Sequence, residues 1–139
     1  MTQEEKLVEL RIPARAENLG LVRAVVKRAV ETAGCNTNLG EQLVIAINEA
    51  CMNVIQHAYG TEASGDMVME IFHDGARIRF RLVDFAAPVD LDQVKSRDLE
   101  DIRPGGLGVH FIREIMDEFN MGHLENGKGN FLELKKLID

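Results

Sequence analysis

A carboxylate, an amide and an imidazole recur at four-residue spacing in one segment of the chain. They are Glu49, Asn53 and His57, within the run Glu-Ala-Cys-Met-Asn-Val-Ile-Gln-His-Ala-Tyr. Because four residues of an α-helix advance by only about 40°, the three side chains are predicted to form one stripe roughly 80° wide. A neighbouring stripe is apolar and consists of Leu43, Ile47, Ala50 and Val54. The pattern therefore predicts a polar ridge beside a core, as in the wall of a pocket.

Two further segments contain groups that suit a nucleotide. Residues 103–110 read Arg-Pro-Gly-Gly-Leu-Gly-Val-His and lead into a periodic apolar segment. A glycine-rich turn that opens a helix presents unpaired backbone N–H groups and the positive end of the helix dipole, and both favour a phosphate. Between this turn and the polar stripe, residues 77–84 alternate as in a strand and end at the carboxylate of Asp84.

In this order, the chain resembles the ATP-binding domain shared by histidine kinases and gyrase-type ATPases, the Bergerat or GHKL fold. It is similar, more narrowly, to the anti-sigma-factor serine kinases of bacteria, in which blocks like residues 49–59 and 105–108 occur. The resemblance covers residues 7–137. It implies an α+β fold, a two-layer sandwich with helices on one face of a mostly antiparallel mixed sheet, and a single GHKL-type domain over residues 1–139.

The resemblance also implies a role for each matching residue. Asn53 is expected to coordinate Mg²⁺, Glu49 to act as general base, and Asp84 to accept a hydrogen bond from the amino group of adenine. Further contacts with ATP are implied for His57, Ala86, Arg103, Gly105, Gly106, Leu107, Gly108, Val109 and Asn130. Two of these depart from the family pattern, since Ala86 stands where glycine is usual and Asn130 where threonine is common.

Two residues keep two interpretations each. His57 is either a residue on the nucleotide side or a structural cap over Tyr59. Arg103 either meets phosphate when a lid closes or is a solvated charge of that lid. The lid itself is expected over residues 88–106, because residues 85–107 lack a strong apolar period, and a long irregular stretch in a compact domain is usually functional or mobile.

The resemblance implies an ATP- and Mg²⁺-dependent serine/threonine protein kinase and anti-sigma factor. Such a protein phosphorylates a STAS-domain antagonist and sequesters a sigma factor, and we expect a homodimer. The alternative is a nucleotide-gated protein-binding module without kinase activity, which Ala86 and Asn130 favour. A third possibility is an interaction domain that uses no nucleotide.

Composition excludes several other classes. The chain has 139 residues and a formal charge of −7, so direct binding to nucleic acid is not expected. It contains no run of 18 apolar residues and begins with no basic leader, which predicts a cytoplasmic protein without membrane attachment. Cys35 and Cys51 lack a metal-site spacing and are expected to be reduced structural thiols. The four histidines are scattered, so we expect no zinc site.

The remaining pattern predicts the order β-α-α-β-β-α-β-β. Strands are expected over residues 8–12, 121–125 and 131–138, and two more in a hairpin over 66–84. Helices are expected over residues 16–33, from a cap at Asn36 or Asn38 through Ala58, and over 108–119. The hairpin turn is predicted at Asp74-Gly75. Arg77, Arg79 and Arg81 would share the solvated face of the second hairpin strand.

Overall fold

A computed structural model describes residues 3–59, 65–86, 106–125, 127 and 129–138, and its elements follow the predicted order. The strands are β1 (Glu5–Pro13), β2 (Asp66–His73), β3 (Arg77–Asp84), β4 (Glu118–His123) and β5 (Asn130–Leu137). The helices are α1 (Leu19–Thr32), α2 (Thr37–Asn53) and α3 (Gly106–Ile115). A 3₁₀ turn, Ala16–Asn18, precedes α1, and a π-helical turn, Val54–Tyr59, continues α2.

The five strands form one sheet in the order β1-β2-β3-β5-β4. Every described strand pair is antiparallel, so the parallel pair that a mixed sheet would contain does not occur among these strands. The β2–β3 hairpin turns where predicted. The Oδ1 atom of Asp74 accepts hydrogen bonds from the backbone N–H groups of Ala76 (3.0 Å) and Arg77 (2.8 Å), and Gly75 has a φ of 92° that favours glycine.

One face of the sheet carries the core. Because side chains alternate along a strand, seven buried apolar residues of β2, β3 and β5 point to this face: Met67, Met69, Ile71, Ile78, Phe80, Leu82 and Leu134. The helices bury Val26, Leu43, Ile47 and Ile112 in the same cluster, and α2 packs between α1 and α3. The predicted two-layer α+β fold is confirmed.

The start of α2 settles one prediction. The side chain of Asn36, and not that of Asn38, caps the helix, since its Oδ1 atom accepts a hydrogen bond of 2.8 Å from the N–H of Leu39. The end of α3 corrects another prediction, because the helix stops at Ile115 and Phe119 belongs to β4. An apolar residue at 119 fits both a helical period from Ile115 and a strand alternation with Met121, so the sequence pattern did not separate the two.

The expectation that the three arginines of β3 are solvated is wrong for two of them. Arg77 is exposed, but Arg79 and Arg81 are half-buried. Arg79 donates two hydrogen bonds to the carboxylate of Glu4 (2.9 and 2.6 Å) and stacks 4.0 Å from the centre of the Phe72 ring. The face of the sheet away from the helices is therefore covered by paired charges.

No described helix is long and apolar enough to cross a membrane.

Candidate nucleotide site

Helix α2 brings Glu49 and Asn53 to the edge of the core. Leu43 and Ile47 are fully buried and fix which side of the helix faces the sheet. Glu49 and Asn53 lie one turn apart, and both are half-buried. The structure thus places the predicted base and the predicted metal ligand side by side on one helix.

The amide oxygen of Asn53 is the most informative atom of this helix. It is buried and has no hydrogen-bond partner among the described residues. A buried acceptor without a partner costs about 1–3 kcal/mol, so such atoms are rare in folded proteins. An amide oxygen is also a ligand that Mg²⁺ accepts. Asn53 therefore fits the expected metal, which would use this atom.

The helix changes its winding directly after Asn53. The predicted α-helix through Ala58 is wrong in this last part, since Val54–Tyr59 is π-helical. The N–H of Val54 still bonds back to the carbonyls of Ala50 and Cys51. A π-helical turn hydrogen-bonds at i→i+5, so the stripe expected from four-residue spacing does not continue unchanged from Asn53 to His57. The side chain of His57 lies outside the described part of the structure.

Asp84 supplies a second polar group at the end of β3. Asp84 is 5% exposed and lies on the helix-facing side of the sheet. It is in register with Met67 of β2 and Asn130 of β5. Its Oδ1 atom accepts hydrogen bonds from Asn130 Nδ2 (2.9 Å) and from the backbone N–H of Ala86 (3.1 Å). Burial raises the pKa of this carboxyl group, and the two hydrogen bonds oppose that rise.

Asn130 and Ala86, the two departures from the family pattern, both contact Asp84. Asn130 is 5% exposed and donates its amide hydrogen to the carboxylate. Ala86 donates through its backbone. No described residue other than glycine has a positive φ, so alanine occupies position 86 without left-handed strain. The loss of glycine at this position is therefore compatible with the backbone that the structure adopts.

Gly129 is a residue that the sequence reasoning did not assign to the site. A Cβ atom at this position would collide with the carbonyl oxygen of Asp84 and would lie 3.3 Å from the Cα of Phe85. The carbonyl of Gly129 also accepts a hydrogen bond of 3.0 Å from the N–H of Leu124. The residue directly before β5 thus lies close against the end of β3. The only signal for Gly129 in the sequence is its place directly before Asn130, which stands where threonine is common in the family pattern.

The glycine-rich segment begins α3 as expected, with Gly106, Leu107, Gly108 and Val109 in the first turn. This helix packs on α2, the helix of Glu49 and Asn53. The predicted start at residue 108 is two residues late. Residues 88–105, which include Arg103 and Gly105, fall outside the described part of the structure. Gly106 is therefore the only residue of the predicted lid that the structure describes.

The part of the chain that the structure describes offers little support for a clustered metal site or a reactive cysteine. No group of three or more His, Cys, Asp or Glu side chains is placed there to hold a metal ion. Cys35 and Cys51 are both free thiols, and complete burial raises the pKa of Cys51 to about 12. A thiol with that pKa is almost never a thiolate at neutral pH and is a poor nucleophile.

Glu49 and Asn53 thus lie together on α2, and Asp84 is a buried, hydrogen-bonded carboxylate at the end of β3, on the face of the sheet that carries the core. A family model described as the histidine kinase-like ATPase domain matches residues 12–136. The chain belongs to this family. Within the family it belongs with the serine-protein kinases named RsbW. The RsbW of Bacillus velezensis is 33% identical over 129 residues, which cover 85% of this chain and 79% of that protein.

Two further comparisons agree with this assignment. The serine-protein kinase RsbW of Bacillus subtilis is 28% identical, and the match covers 100% of this chain and 90% of that protein. Among solved structures, the SiaB–SiaC complex of Pseudomonas aeruginosa has a chain that superposes with a TM-score of 0.64 at 15% identity, covering 96% of this chain and 91% of that one. At that identity, the superposition shows the fold alone.

Proposed function

We propose that this protein is an ATP- and Mg²⁺-dependent serine/threonine protein kinase that also acts as an anti-sigma factor. In this proposal it phosphorylates a STAS-domain antagonist and sequesters a sigma factor. The whole chain forms one catalytic domain that works in the cytoplasm as a homodimer. Membership of a family of serine-protein kinases supports the reaction, and the resemblance given above supports the two partners.

One observation supports the catalytic part of the proposal most directly. The Oδ1 atom of Asn53 is buried without a described partner, one helical turn from the carboxylate of Glu49. A carboxylate next to a triphosphate is unfavourable unless a cation lies between them. A metal ligand in this place explains both why the amide is left unpaired and how Glu49 can stand beside phosphates.

The remaining residues have separate tasks in this mechanism. Bound ATP would supply the phosphoryl group and leave as ADP, and Mg²⁺ held by Asn53 would neutralise the phosphate oxygens. Glu49 removes the proton from the attacking serine or threonine hydroxyl. Asp84 accepts a hydrogen bond from the exocyclic amino group of adenine. The N-terminus of α3, with the glycines of residues 105–108, provides backbone N–H groups for phosphate.

The direct test is incubation of the protein with labelled ATP, Mg²⁺ and the STAS-domain protein encoded nearby in its genome. We expect label on a serine or threonine of that partner and none when EDTA replaces Mg²⁺. A matched partner in which the acceptor is changed to alanine controls for nonspecific label. Absence of transfer under conditions where the protein binds ATP contradicts the kinase assignment.

The second candidate function is a nucleotide-gated binding module without kinase activity. It is motivated by Ala86 and Asn130, which change the surroundings of Asp84 relative to the family pattern. The two functions predict the same nucleotide binding and differ in phosphate transfer. Binding of ATP and of a partner without transfer supports the module, and no binding of adenine nucleotide contradicts both candidates.

A further inference from the structure

The contact between β5 and the end of β3 is unusually close at the candidate base-recognition residue. Gly129 leaves no space for a Cβ against the carbonyl of Asp84, and the next residue, Asn130, donates a hydrogen bond of 2.9 Å to Oδ1 of the same aspartate. Asp84 and Asn130 are partners in the antiparallel register, and each is 5% exposed. Gly129, directly before β5, thus lies against the backbone of Asp84, and Asn130, the first residue of β5, holds its side chain.

The described hydrogen bonds to Asp84 use only one of its two carboxylate oxygens. Both described hydrogen bonds to the Asp84 carboxylate, from Asn130 Nδ2 and from Ala86 N, end on Oδ1. No hydrogen bond to Oδ2 is found among the described residues. A carboxylate that is held through one oxygen has a fixed orientation and keeps acceptor capacity on the other. We propose that Asn130 is a positioning residue, which fixes the Asp84 carboxylate through Oδ1 so that Oδ2 is presented to the amino group of a purine base.

This inference rests on the proposed function for its ligand, but its physical basis is present without nucleotide. A buried carboxyl group tends to keep its proton, and a neutral carboxylic acid no longer offers two acceptor oxygens to a base. The donated hydrogen bond of Asn130 favours the ionised form. Asn130 therefore both orients Asp84 and keeps it in the state that accepts from an amino group.

Charges on neighbouring elements do not provide an alternative explanation. The titratable groups of the elements around Asp84 include Glu49 on α2, Asp66 on β2 and His123 on β4. The pKa of Asp84 owes its shift to burial and to the bonds from Asn130 and Ala86, and not to a charge on any of these three. Asp66 is itself in an ion pair with Arg11 at 2.9 Å.

The test uses the titration of the Asp84 carboxyl in the full-length protein without nucleotide, followed by carbon-detected NMR. Asn130→Leu keeps a side chain of similar size and removes the donor, and we expect the titration midpoint to rise by about one pH unit or more. Asn130→Thr restores a hydroxyl donor and should return the midpoint toward that of the wild type. Asn120→Leu makes the same change at an exposed position of β4 and should leave the midpoint in place.

A second measurement connects the titration with ligand binding. The affinity for Mg²⁺-ADP, measured by calorimetry between pH 5 and 8, should begin to fall at a higher pH in Asn130→Leu than in the wild type. If Asn130→Leu does not fold, Asn130→Thr and Asn130→Ser provide the same comparison with weaker donors. A midpoint that is equal in wild type and donor-free variant overturns the inference even if nucleotide binds. Failure of wild-type protein to bind ADP at any pH overturns the proposed function, whatever the titration shows.

Discussion

On the sheet, the carboxylate of Asp84 already accepts two hydrogen bonds through Oδ1. On α2, the Oδ1 atom of Asn53 is buried and has no partner among the described residues. Both atoms are acceptors removed from water, yet only the first has its bonding satisfied by the protein. In the proposed function, this difference means that the fold itself organises the base-recognition end, whereas the bound cation completes the metal end.

The Asp84 end and the Asn53 end of the site also differ in the free energy that ligand binding would cost. A site that is already held pays little reorganisation on binding and gives specificity. An unpaired buried acceptor such as Asn53 Oδ1 is destabilising until it gains a partner, so the proposed metal ligand would link nucleotide binding to Mg²⁺. Variants at the two ends should fail in different ways.

The largest expected effect is on phosphate transfer. In Glu49→Gln, we expect transfer to fall at least about a hundredfold, because glutamine keeps the shape of glutamate but takes up no proton at neutral pH. The affinity for ATP should be unchanged in calorimetry. Glu41→Gln, on the exposed side of the same helix, is the matched control. Equal losses of binding and transfer in Glu49→Gln would show that this carboxylate holds the nucleotide and is not the base.

A smaller effect is expected on the choice of base. Asp84 should favour ATP over GTP by about 1–3 kcal/mol, since guanine presents a carbonyl where adenine presents its amino group, and a carboxylate cannot donate to it. Asp84→Ala should weaken ATP and leave GTP nearly unchanged, as measured by competition with a fluorescent nucleotide. Comparable affinities of the wild-type protein for ATP and GTP would remove this role from Asp84.

The smallest effect concerns stability. Burial raises the pKa of Asp84 in the folded protein above its ordinary value of 3.8. The folded state then keeps a proton that the unfolded chain has lost, so stability falls as pH rises from about 3.8 through the folded pKa. Asp84→Asn cannot lose this proton. At pH 7 we expect it to be more stable than the wild type by about 1 kcal/mol, or roughly 2–4 °C in Tm.

The same variant should bind adenine nucleotide more weakly, because its amide no longer offers two equivalent acceptors. A gain in stability with a loss of binding would show that the buried charge is kept for recognition. Differential scanning calorimetry at pH 4 and pH 7 measures the first effect, and the difference between variants should be smaller at pH 4. A lower Tm for Asp84→Asn at pH 7 would contradict the assignment.

The sequence predicted those features that depend on local patterns. The turn at Asp74-Gly75 follows from a side-chain acceptor and a residue that tolerates positive φ, and the cap of α2 follows from an amide just before an apolar period. Element order and the two-layer fold follow from periodicity and from the family resemblance. The polar pair Glu49 and Asn53 needed only the angular step of a helix.

Features that depend on tertiary contact were not predicted. The hydrogen bond from Asn130 to Asp84 joins residues 46 positions apart, and only the strand register brings them together. The need for glycine at position 129 arises from the same pairing of β3 with β5. The π-helical turn after Asn53 has no residue pattern that distinguishes it from α-helix, so the predicted stripe extended too far.

We expect Asn53 to affect nucleotide affinity through the metal and Asp84 to affect it through the base. Calorimetric titration of ADP, with Mg²⁺ and with EDTA, tests this expectation in the wild type, Asn53→Ala and Asp84→Ala. Asn48→Ala, on the same helix and bonded to Arg23 at 3.0 Å, serves as the control. We expect Asn53→Ala to abolish most of the gain in affinity that Mg²⁺ provides, and Asp84→Ala to weaken binding by a similar factor with and without Mg²⁺. Equal dependence on Mg²⁺ in the wild type and Asn53→Ala, or no binding of ADP by the wild type, would contradict the account.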